Sequence, residues 1–174
     1  MSGHNKWSQI KNKKGAADQK RGVLFSKLLK AISIAARDET NPDFNPRLRT
    51  LVEKAKENNV PNENIDRAIN KAAEAGNLEE VIIEAYGPEK SAFIILGITD
   101  NKNRTVSEVK HLLSKNGFKP AEQGSVLWSF EKKDGEWTPQ FQQSISDTAK
   151  EKIREAISEV EEHADVQRVI TNIQ

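Results

Sequence analysis

The sequence predicts an α+β protein, with an N-terminal three-helix domain followed by a ferredoxin-like antiparallel α+β domain. Two observations predict this order. Apolar residues recur at helical spacing up to about residue 77, and from residue 78 onward they form short extended runs separated by helical segments. With 174 residues, of which 36% are apolar, the chain is long enough for two small domains with a modest core.

The positive charge is concentrated at the start of the chain. The first thirty residues contain eight Lys or Arg and a single acidic residue, Asp18, whereas the remaining 144 residues contain 19 basic and 25 acidic residues. The whole chain has a formal net charge of only +1, so this total conceals a strong asymmetry. A polyanion such as nucleic acid would be attracted to the N-terminal segment and repelled by the rest.

Residues 1–19 are expected to form a flexible basic arm, because Trp7 and Ile10 are its only large apolar side chains after Met1. A first helix is predicted from about Lys20 to Arg37. Six apolar residues share one face of this helix at 100° per residue: Leu24, Phe25, Leu28, Leu29, Ile32 and Ala35. Four basic residues fall on the opposite face: Lys20, Lys27, Lys30 and Arg37.

Two further helices complete the helical domain, which is predicted to span residues 20–77. Asn45 is the expected N-cap of the second helix, with Pro46 at its first position. The third helix starts near Pro61. This pair resembles a helix-turn-helix, but Glu63 and Asp66 lie where a reading helix would meet phosphates, so ordinary helix packing is the favoured interpretation.

Residues 78–174 alternate between extended and helical patterns. The segments EVIIEAYG and SAFIILGIT read as strands, and Thr105 with Glu108 forms a capping box that opens a helix ending at Gly117. A hairpin closing at Asp134-Gly135 follows. A helix from about Asp147 to His163 and a closing strand, VQRVITNI, complete a β-β-α-β-β-α-β order, with the helices expected on one face of the sheet.

The candidate nucleic-acid contacts lie in the N-terminal segment. Ammonium groups neutralise phosphates and an indole stacks on unpaired bases. The predicted contact set is Lys6, Trp7, Lys11, Lys13, Lys14, Lys20, Arg21 and Lys27. Lys102 and Arg104 form a second-rank phosphate site at a helix N-terminus. The alternatives are a solubilising tail for the first set and ordinary cap chemistry for the second.

The sequence lacks the patterns expected of an enzyme or a metal protein. There is no cysteine, and His4, His111 and His163 do not have metal-ligand spacing. Neither a GxxxxGK[ST] phosphate loop nor a GxGxxG motif occurs. No cofactor and no metal are therefore expected. The chain also has no apolar run near the roughly 20 residues of a membrane span and no signal-peptide pattern, so we expect a cytoplasmic protein with no membrane partner.

Several ordered blocks of the sequence resemble the YebC/PmpR family. They are the opening SGHNKWSQIKNKKGAADQKRGVLFSKL, NPRLR, NVPNENIDRAI, EAYGP, TDNKNRTVSEVKHLLSKNG, GSVLWSF and EEHADVQRV. The resemblance implies a helical N-terminal domain, α+β domains and no enzymatic activity. It also implies a transcriptional regulator that binds DNA. Other members of this family act in translation, including a mitochondrial translational activator and bacterial relatives linked to ribosomes stalled on proline-rich chains.

The chain departs from the family pattern in one place. Family members carry another small α+β domain between the hairpin and the final helix, whereas here only residues 132–146 fill that gap. The sequence is therefore interpreted as a short form that lacks the third domain.

Together these patterns predict a non-enzymatic nucleic-acid-binding regulatory protein, in the first place a DNA-binding transcriptional regulator. A translation factor that associates with the ribosome and its RNA is the alternative. A protein-interaction module is the alternative of another class.

Overall fold

The computed structural model describes residues 3–72 and 76–174, with side chains described from residue 14 onward. The chain divides into two compact units, Met1–Ala75 and Gly76–Gln174. We call them the helical unit and the α+β unit. The division lies close to the boundary expected from the sequence at residues 77/78.

The helical unit contains α1 (Gly3–Ala35), α2 (Pro46–Glu57) and α3 (Asn62–Asn70). Asn45 is the N-cap of α2, as predicted, and its side-chain oxygen accepts a hydrogen bond of 3.0 Å from the Leu48 amide. The core joins all three helices through buried apolar side chains: Leu28, Ile32, Ala35, Ala36, Leu48, Val52, Ala55, Val60, Ile65 and Ala72.

Helix α1 is longer than the sequence predicted. It starts at Gly3 rather than at Lys20, so residues 3–19 of the expected flexible arm are helical. No proline occurs before Pro42. Once the packed half of a helix exists, each added residue gains a hydrogen bond without a new nucleation cost. The 33 residues of α1 correspond to a rod of roughly 50 Å. Residues 1–2 of the predicted arm lie outside the described residues.

Replacing Gly15 or Gly22 with alanine should stabilise α1. Both glycines are exposed within the helix, and a Cβ built at either position meets no atom within 4 Å. Alanine favours an exposed helix interior by about 1 kcal/mol over glycine. Amide hydrogen exchange in residues 14–22 should therefore slow by roughly fivefold in each variant, and Ala17→Gly should have the opposite effect. Faster exchange in the alanine variants would contradict a stable helix in this segment.

The α+β unit has a four-stranded sheet with the order β3-β1-β2-β6, in which every neighbouring pair is antiparallel. Its strands are β1 (Glu79–Tyr86), β2 (Ala92–Thr99), β3 (Lys119–Pro120) and β6 (Val166–Thr171). A separate two-stranded sheet consists of β4 (Phe130–Lys133) and β5 (Glu136–Pro139). The two helices are α4 (Lys102–Lys115) and α5 (Asp147–Glu161).

Both faces of the four-stranded sheet are covered. The α4 and α5 helices pack on one face, where the buried residues include Ile83, Phe93, Ile95, Val109, Leu113, Ile153 and Val160. The segment leading into the β4–β5 hairpin covers the other face, with Ala92, Ile94, Val126, Phe130 and Ile170 buried there. Strand β2 is consequently buried on both sides, which explains its continuous apolar run.

The α+β class is confirmed, with two corrections of detail. The elements of the four-stranded sheet follow the order β-β-α-β-α-β, whereas a ferredoxin-like domain has β-α-β-β-α-β. The predicted hairpin turns at Asp134-Gly135, where both residues have positive φ. However, its strands pair with each other alone, and the two-residue strand β3 completes the large sheet instead.

Helix α4 begins three residues before the predicted capping box. Asn101 is its N-cap and accepts a hydrogen bond of 3.1 Å from the Arg104 amide. Thr105 is not the cap, because its own amide donates to the Asn101 carbonyl at 3.1 Å and so lies inside the helix. Its hydroxyl donates to Asp165 Oδ2 at 2.6 Å. The observed N-cap places residues 102–105, the last four of the TDNKNRT segment, in the first turn of the helix.

Candidate nucleic-acid interface

The predicted contact residues lie along a single helix, α1. Four of them, Lys6, Trp7, Lys11 and Lys13, lie outside the part of the chain whose side chains are described.

The remaining four contact residues are described. Lys14, Lys20 and Arg21 are exposed, and Lys27 is half-buried near the point where α1 joins the core of the helical unit. Every residue from 14 to 22 is exposed, whereas residues 31–36 are all buried. The exposed stretch of α1, residues 14–22, thus precedes the half of the helix that packs in the core.

The two units carry opposite charges. The helical unit, residues 1–75, contains 15 basic and 9 acidic residues, a formal charge of +6. The α+β unit, residues 76–174, contains 12 basic and 17 acidic residues, a formal charge of −5. A polyanion is therefore attracted to the helical unit and repelled by the α+β unit.

The second-rank phosphate site belongs to the α+β unit, and Arg104 there faces carboxylates. One Arg104 nitrogen, Nη2, lies 2.9 Å from Asp165 Oδ2 and 2.8 Å from Asp100 Oδ1. These hydrogen bonds, first that to Asp165, raise the pKa of Arg104 above its ordinary value. Such pairing competes with phosphate binding, so Arg104 has a structural role that the sequence did not reveal. Lys102 is exposed at the first position of α4.

The network around Asp165 joins the start of α4 to the chain segment before β6. Asp165 is 3% exposed, and the backbone amide of Asp165 donates to His163 Nδ1 at 3.1 Å. His163 Nε2 lies 2.9 Å from Glu108 Oε2. Both contacts are satisfied when the proton of His163 is on Nε2. The partners are distant in sequence, and the spacing of the histidines gave no sign of this cluster.

A second buried carboxylate organises the other face of the sheet. Glu84 is 3% exposed and accepts hydrogen bonds from the amides of Gly124, Val126 and Leu127 at 2.5, 2.7 and 2.8 Å. The Ser125 carbonyl accepts from the Tyr86 hydroxyl and from Trp128 Nε1, each at 2.8 Å. This loop holds the indole of Trp128, which is 63% exposed.

The α3 helix offers a poor surface for reading bases. It has only nine residues, and its first turn carries Glu63. Asp66 is exposed on the same helix, and Asn64 is half-buried. Carboxylates at this end would repel the phosphates that flank a groove. As a candidate nucleic-acid surface, α3 is therefore less suitable than α1.

No other kind of site is evident in the described part of the chain. Among the side chains that the structure describes, those of residues 14–72 and 76–174, there is no group of three or more His, Asp or Glu that could hold a metal ion. Among the helices described, none combines the length and apolar character that a membrane span requires.

Two family models match the chain in succession. The model of the TACO1/YebC N-terminal domain matches residues 5–75. The model of the TACO1/YebC second and third domains matches residues 78–135, ending in the β4–β5 turn.

The chain is also similar to curated proteins named "Probable transcriptional regulatory protein". One from Fervidobacterium nodosum is 53% identical over 137 residues, covering 76% of this chain and 54% of that protein. Another from Desulfatibacillum aliphaticivorans is 49% identical over 176 residues, covering 98% of this chain and 71% of that protein. The chain spans about half the length of the first of these relatives.

A solved structure has the same fold. The crystal structure of a conserved hypothetical protein from Aquifex aeolicus superposes with a TM-score of 0.79 at 31% sequence identity. The match covers 89% of this chain and 90% of the Aquifex chain.

Proposed function

Because the chain belongs to the TACO1/YebC family, we propose that it is a non-enzymatic regulatory protein that binds nucleic acid through α1. The names of its relatives support a regulatory role in transcription. We therefore propose DNA as the first target, with Lys6, Trp7, Lys11, Lys13, Lys14, Lys20, Arg21 and Lys27 as the contact set.

The observation that carries the proposal is the charge and exposure of α1. The helix contains eight basic residues and one acidic residue. Its described residues from 14 to 22 are exposed without exception. Cations on an exposed helix bind phosphates by releasing condensed counterions, and this contribution to affinity does not depend on base sequence. The acidic α+β unit would be repelled by the same phosphates.

A salt titration tests this proposal. If about six cations of α1 neutralise phosphates of duplex DNA, log K should fall with log salt at a slope of roughly −5. The measurement is fluorescence anisotropy with a labelled duplex at several salt concentrations. A slope near zero, or no binding at low salt, would rule out an electrostatic nucleic-acid interface.

Ribosomal RNA is the alternative target, since the described helices offer no convincing base-reading surface and phosphate contacts alone suit RNA equally well. Crosslinking in cells, followed by sequencing of the recovered nucleic acid, separates the two targets. Recovery of predominantly genomic DNA supports the transcriptional role. Recovery of predominantly ribosomal RNA would replace it with a role in translation.

A further inference from the structure

The sequence contains a single Asn-Gly pair, Asn116-Gly117, which lies at the end of α4. Asn116 is the C-cap residue of the helix, and Gly117 follows it with a φ of 79°. The Gly117 amide donates to the Ser114 carbonyl at 3.1 Å. The Phe118 amide donates to the Leu113 carbonyl at 2.9 Å. These two bonds form a Schellman motif, which favours glycine here because other residues rarely adopt a positive φ.

The side chain of Asn116 joins α4 to α5. Its amide nitrogen Nδ2 donates to the Leu112 carbonyl at 2.9 Å and to Glu159 Oε2 at 2.8 Å. The other carboxylate oxygen of Glu159 lies 2.6 Å from Lys115 Nζ. The hydrogen bonds from Lys115 and then from Asn116 lower the pKa of Glu159 below its ordinary value. Position 116 therefore needs a side chain that donates hydrogen bonds, which an ionised aspartate cannot do.

Asparagine followed by glycine is chemically reactive, because glycine has no side chain to shield its amide nitrogen. In the first step, the Gly117 nitrogen attacks Cγ of Asn116 and forms an N–Cγ bond, which closes a succinimide ring. The Cγ–Nδ2 bond breaks, and Nδ2 leaves as ammonia with the proton of the Gly117 amide. Water then opens the ring at either carbonyl. Opening at Cγ gives aspartate, and opening at the main-chain carbonyl gives isoaspartate, in which the main chain runs through Cγ.

The folded chain opposes this reaction at both reacting groups. The leaving nitrogen, Nδ2, is held by two hydrogen bonds, and the attacking Gly117 amide is bonded to Ser114. The backbone of Asn116 has a ψ of 9°, which holds the Gly117 nitrogen away from Cγ. Ring closure requires a large rotation about the Cα–C bond of Asn116, and this rotation breaks the Schellman motif. The reaction therefore requires local opening at the end of α4.

We propose that Asn116 is a deamidation site whose reaction is limited by opening of the end of α4 and whose product keeps that end open. After deamidation, a carboxylate replaces the amide that donated to Glu159, so two negative groups face each other at hydrogen-bond distance. A negative charge at a helix C-terminus also opposes the helix dipole. The modification converts a transient opening of α4 into a permanent loss of its contact with α5. The site belongs to the α+β unit, whereas the proposed nucleic-acid surface belongs to the helical unit.

Peptide mapping by mass spectrometry, after incubation at neutral pH, measures the reaction in the full chain. Asn116 should deamidate roughly 100-fold more slowly in the folded chain than in guanidinium chloride, since opening breaks at least three hydrogen bonds that each favour the closed state by about fivefold. Asn101, the N-cap of α4, precedes a lysine and is the internal control, which should stay intact in the folded chain. Equal rates at Asn116 in the folded and the unfolded chain would overturn the proposal.

The variant Asn116→Asp reproduces the product that has a normal main chain. Hydrogen exchange at the Gly117 and Phe118 amides should accelerate about tenfold in this variant. Adding Glu159→Gln exchanges the donor and the acceptor between the two positions, so it should recover most of the lost protection.

The matched control adds Glu155→Gln to Asn116→Asp instead, which removes an exposed carboxylate one turn earlier on α5. This control should recover little protection. If it recovers as much as Glu159→Gln does, the effect depends on net charge and not on the contact between α4 and α5. Unchanged exchange in Asn116→Asp would show that the product does not keep α4 open. Either result contradicts the proposed site.

Discussion

Deleting residues 2–14 should weaken nucleic-acid binding about 1,000-fold at 0.15 M salt, because it removes four cations that each contribute about 0.9 to the salt slope. The four are Lys6, Lys11, Lys13 and Lys14. The slope should become less negative by roughly 3.6. Thermal stability of the helical unit should change little, because its described core begins at Phe25 and Leu28. The measurements are anisotropy titrations and thermal unfolding.

Two variants at the same four lysine positions are the controls for this deletion. Replacing the same four lysines with glutamine keeps the length of α1 and retains Trp7, and replacing them with arginine keeps the charge. The glutamine variant should reproduce most of the loss, and the arginine variant should bind like the original chain. Any further loss in the deletion comes from the other residues of the segment, among which Trp7 is the one expected to stack on a base. Unchanged affinity after the deletion would instead favour a protein-interaction module in which this segment only adds solubility.

The elements that the sequence predicted well have strong local signals. Asn45 before Pro46 marks the start of α2, because the cap and the fixed φ of proline both act within one turn. Asp134-Gly135 marks the hairpin, since a turn of this type needs two residues with positive φ. Such signals depend on neighbours in the chain and can be read without the fold.

Two elements were not predicted from the sequence. One forms only by pairing with a strand that is distant in the sequence, and the other is helical because no residue ends the helix. Strand β3, Lys119–Pro120, exists because it pairs with Ala85 and Tyr86 of β1. Its two residues have no periodicity of their own. The first half of α1 carries no apolar stripe that would mark it as helical, yet no proline interrupts it. A polar segment of this kind is read as coil unless a packed helix is known to extend into it.

The sequence predicted the excess of cations in the candidate interface, but it did not predict that a helix carries all of them. The excess of cations is visible in the sequence, whereas their position along one helix follows only from the structure, in which residues 3–35 are helical. The structural roles of two carboxylates were not predictable. Asp165 contacts Arg104, which lies 61 residues earlier, and Glu84 contacts amides 40–43 residues later. No local pattern encodes contacts at such separations.

These two carboxylates connect blocks of the sequence that lie far apart along the chain. Glu84 in EAYGP binds the amides of GSVLWSF, so one block supplies the acceptor for the other. Asp165 in EEHADVQRV likewise accepts hydrogen bonds from Arg104 and Thr105 in the TDNKNRT block. Several motifs that identify the family are therefore parts of the scaffold of the α+β unit, whereas the cationic surface lies on α1.

Replacing Glu84 with alanine should cost about 4 kcal/mol of unfolding free energy in the α+β unit. The substitution leaves three amides without their acceptor, of which that of Val126 is buried and that of Leu127 is half-buried. A buried group left unsatisfied costs about 1–3 kcal/mol. Because this loss could prevent folding, Glu84→Gln is the more informative variant. Its amide keeps one acceptor oxygen but places a donor against at least one backbone amide, and we expect a loss of about 2 kcal/mol. Urea denaturation followed by circular dichroism measures both.

The matched control is Glu79→Gln, an exposed carboxylate at the start of the same strand, and it should change stability by less than about 0.5 kcal/mol. A local readout distinguishes loss of the Glu84 hydrogen bonds from a general loss of packing. Hydrogen exchange at the amides of Val126 and Leu127 should accelerate in Glu84→Gln well before the sheet amides exchange. Since Trp128 donates to the carbonyl of Ser125 in the same loop, the environment of its indole should change too. Unaltered exchange at those amides, with unaltered stability, would show that the carboxylate does not hold this loop.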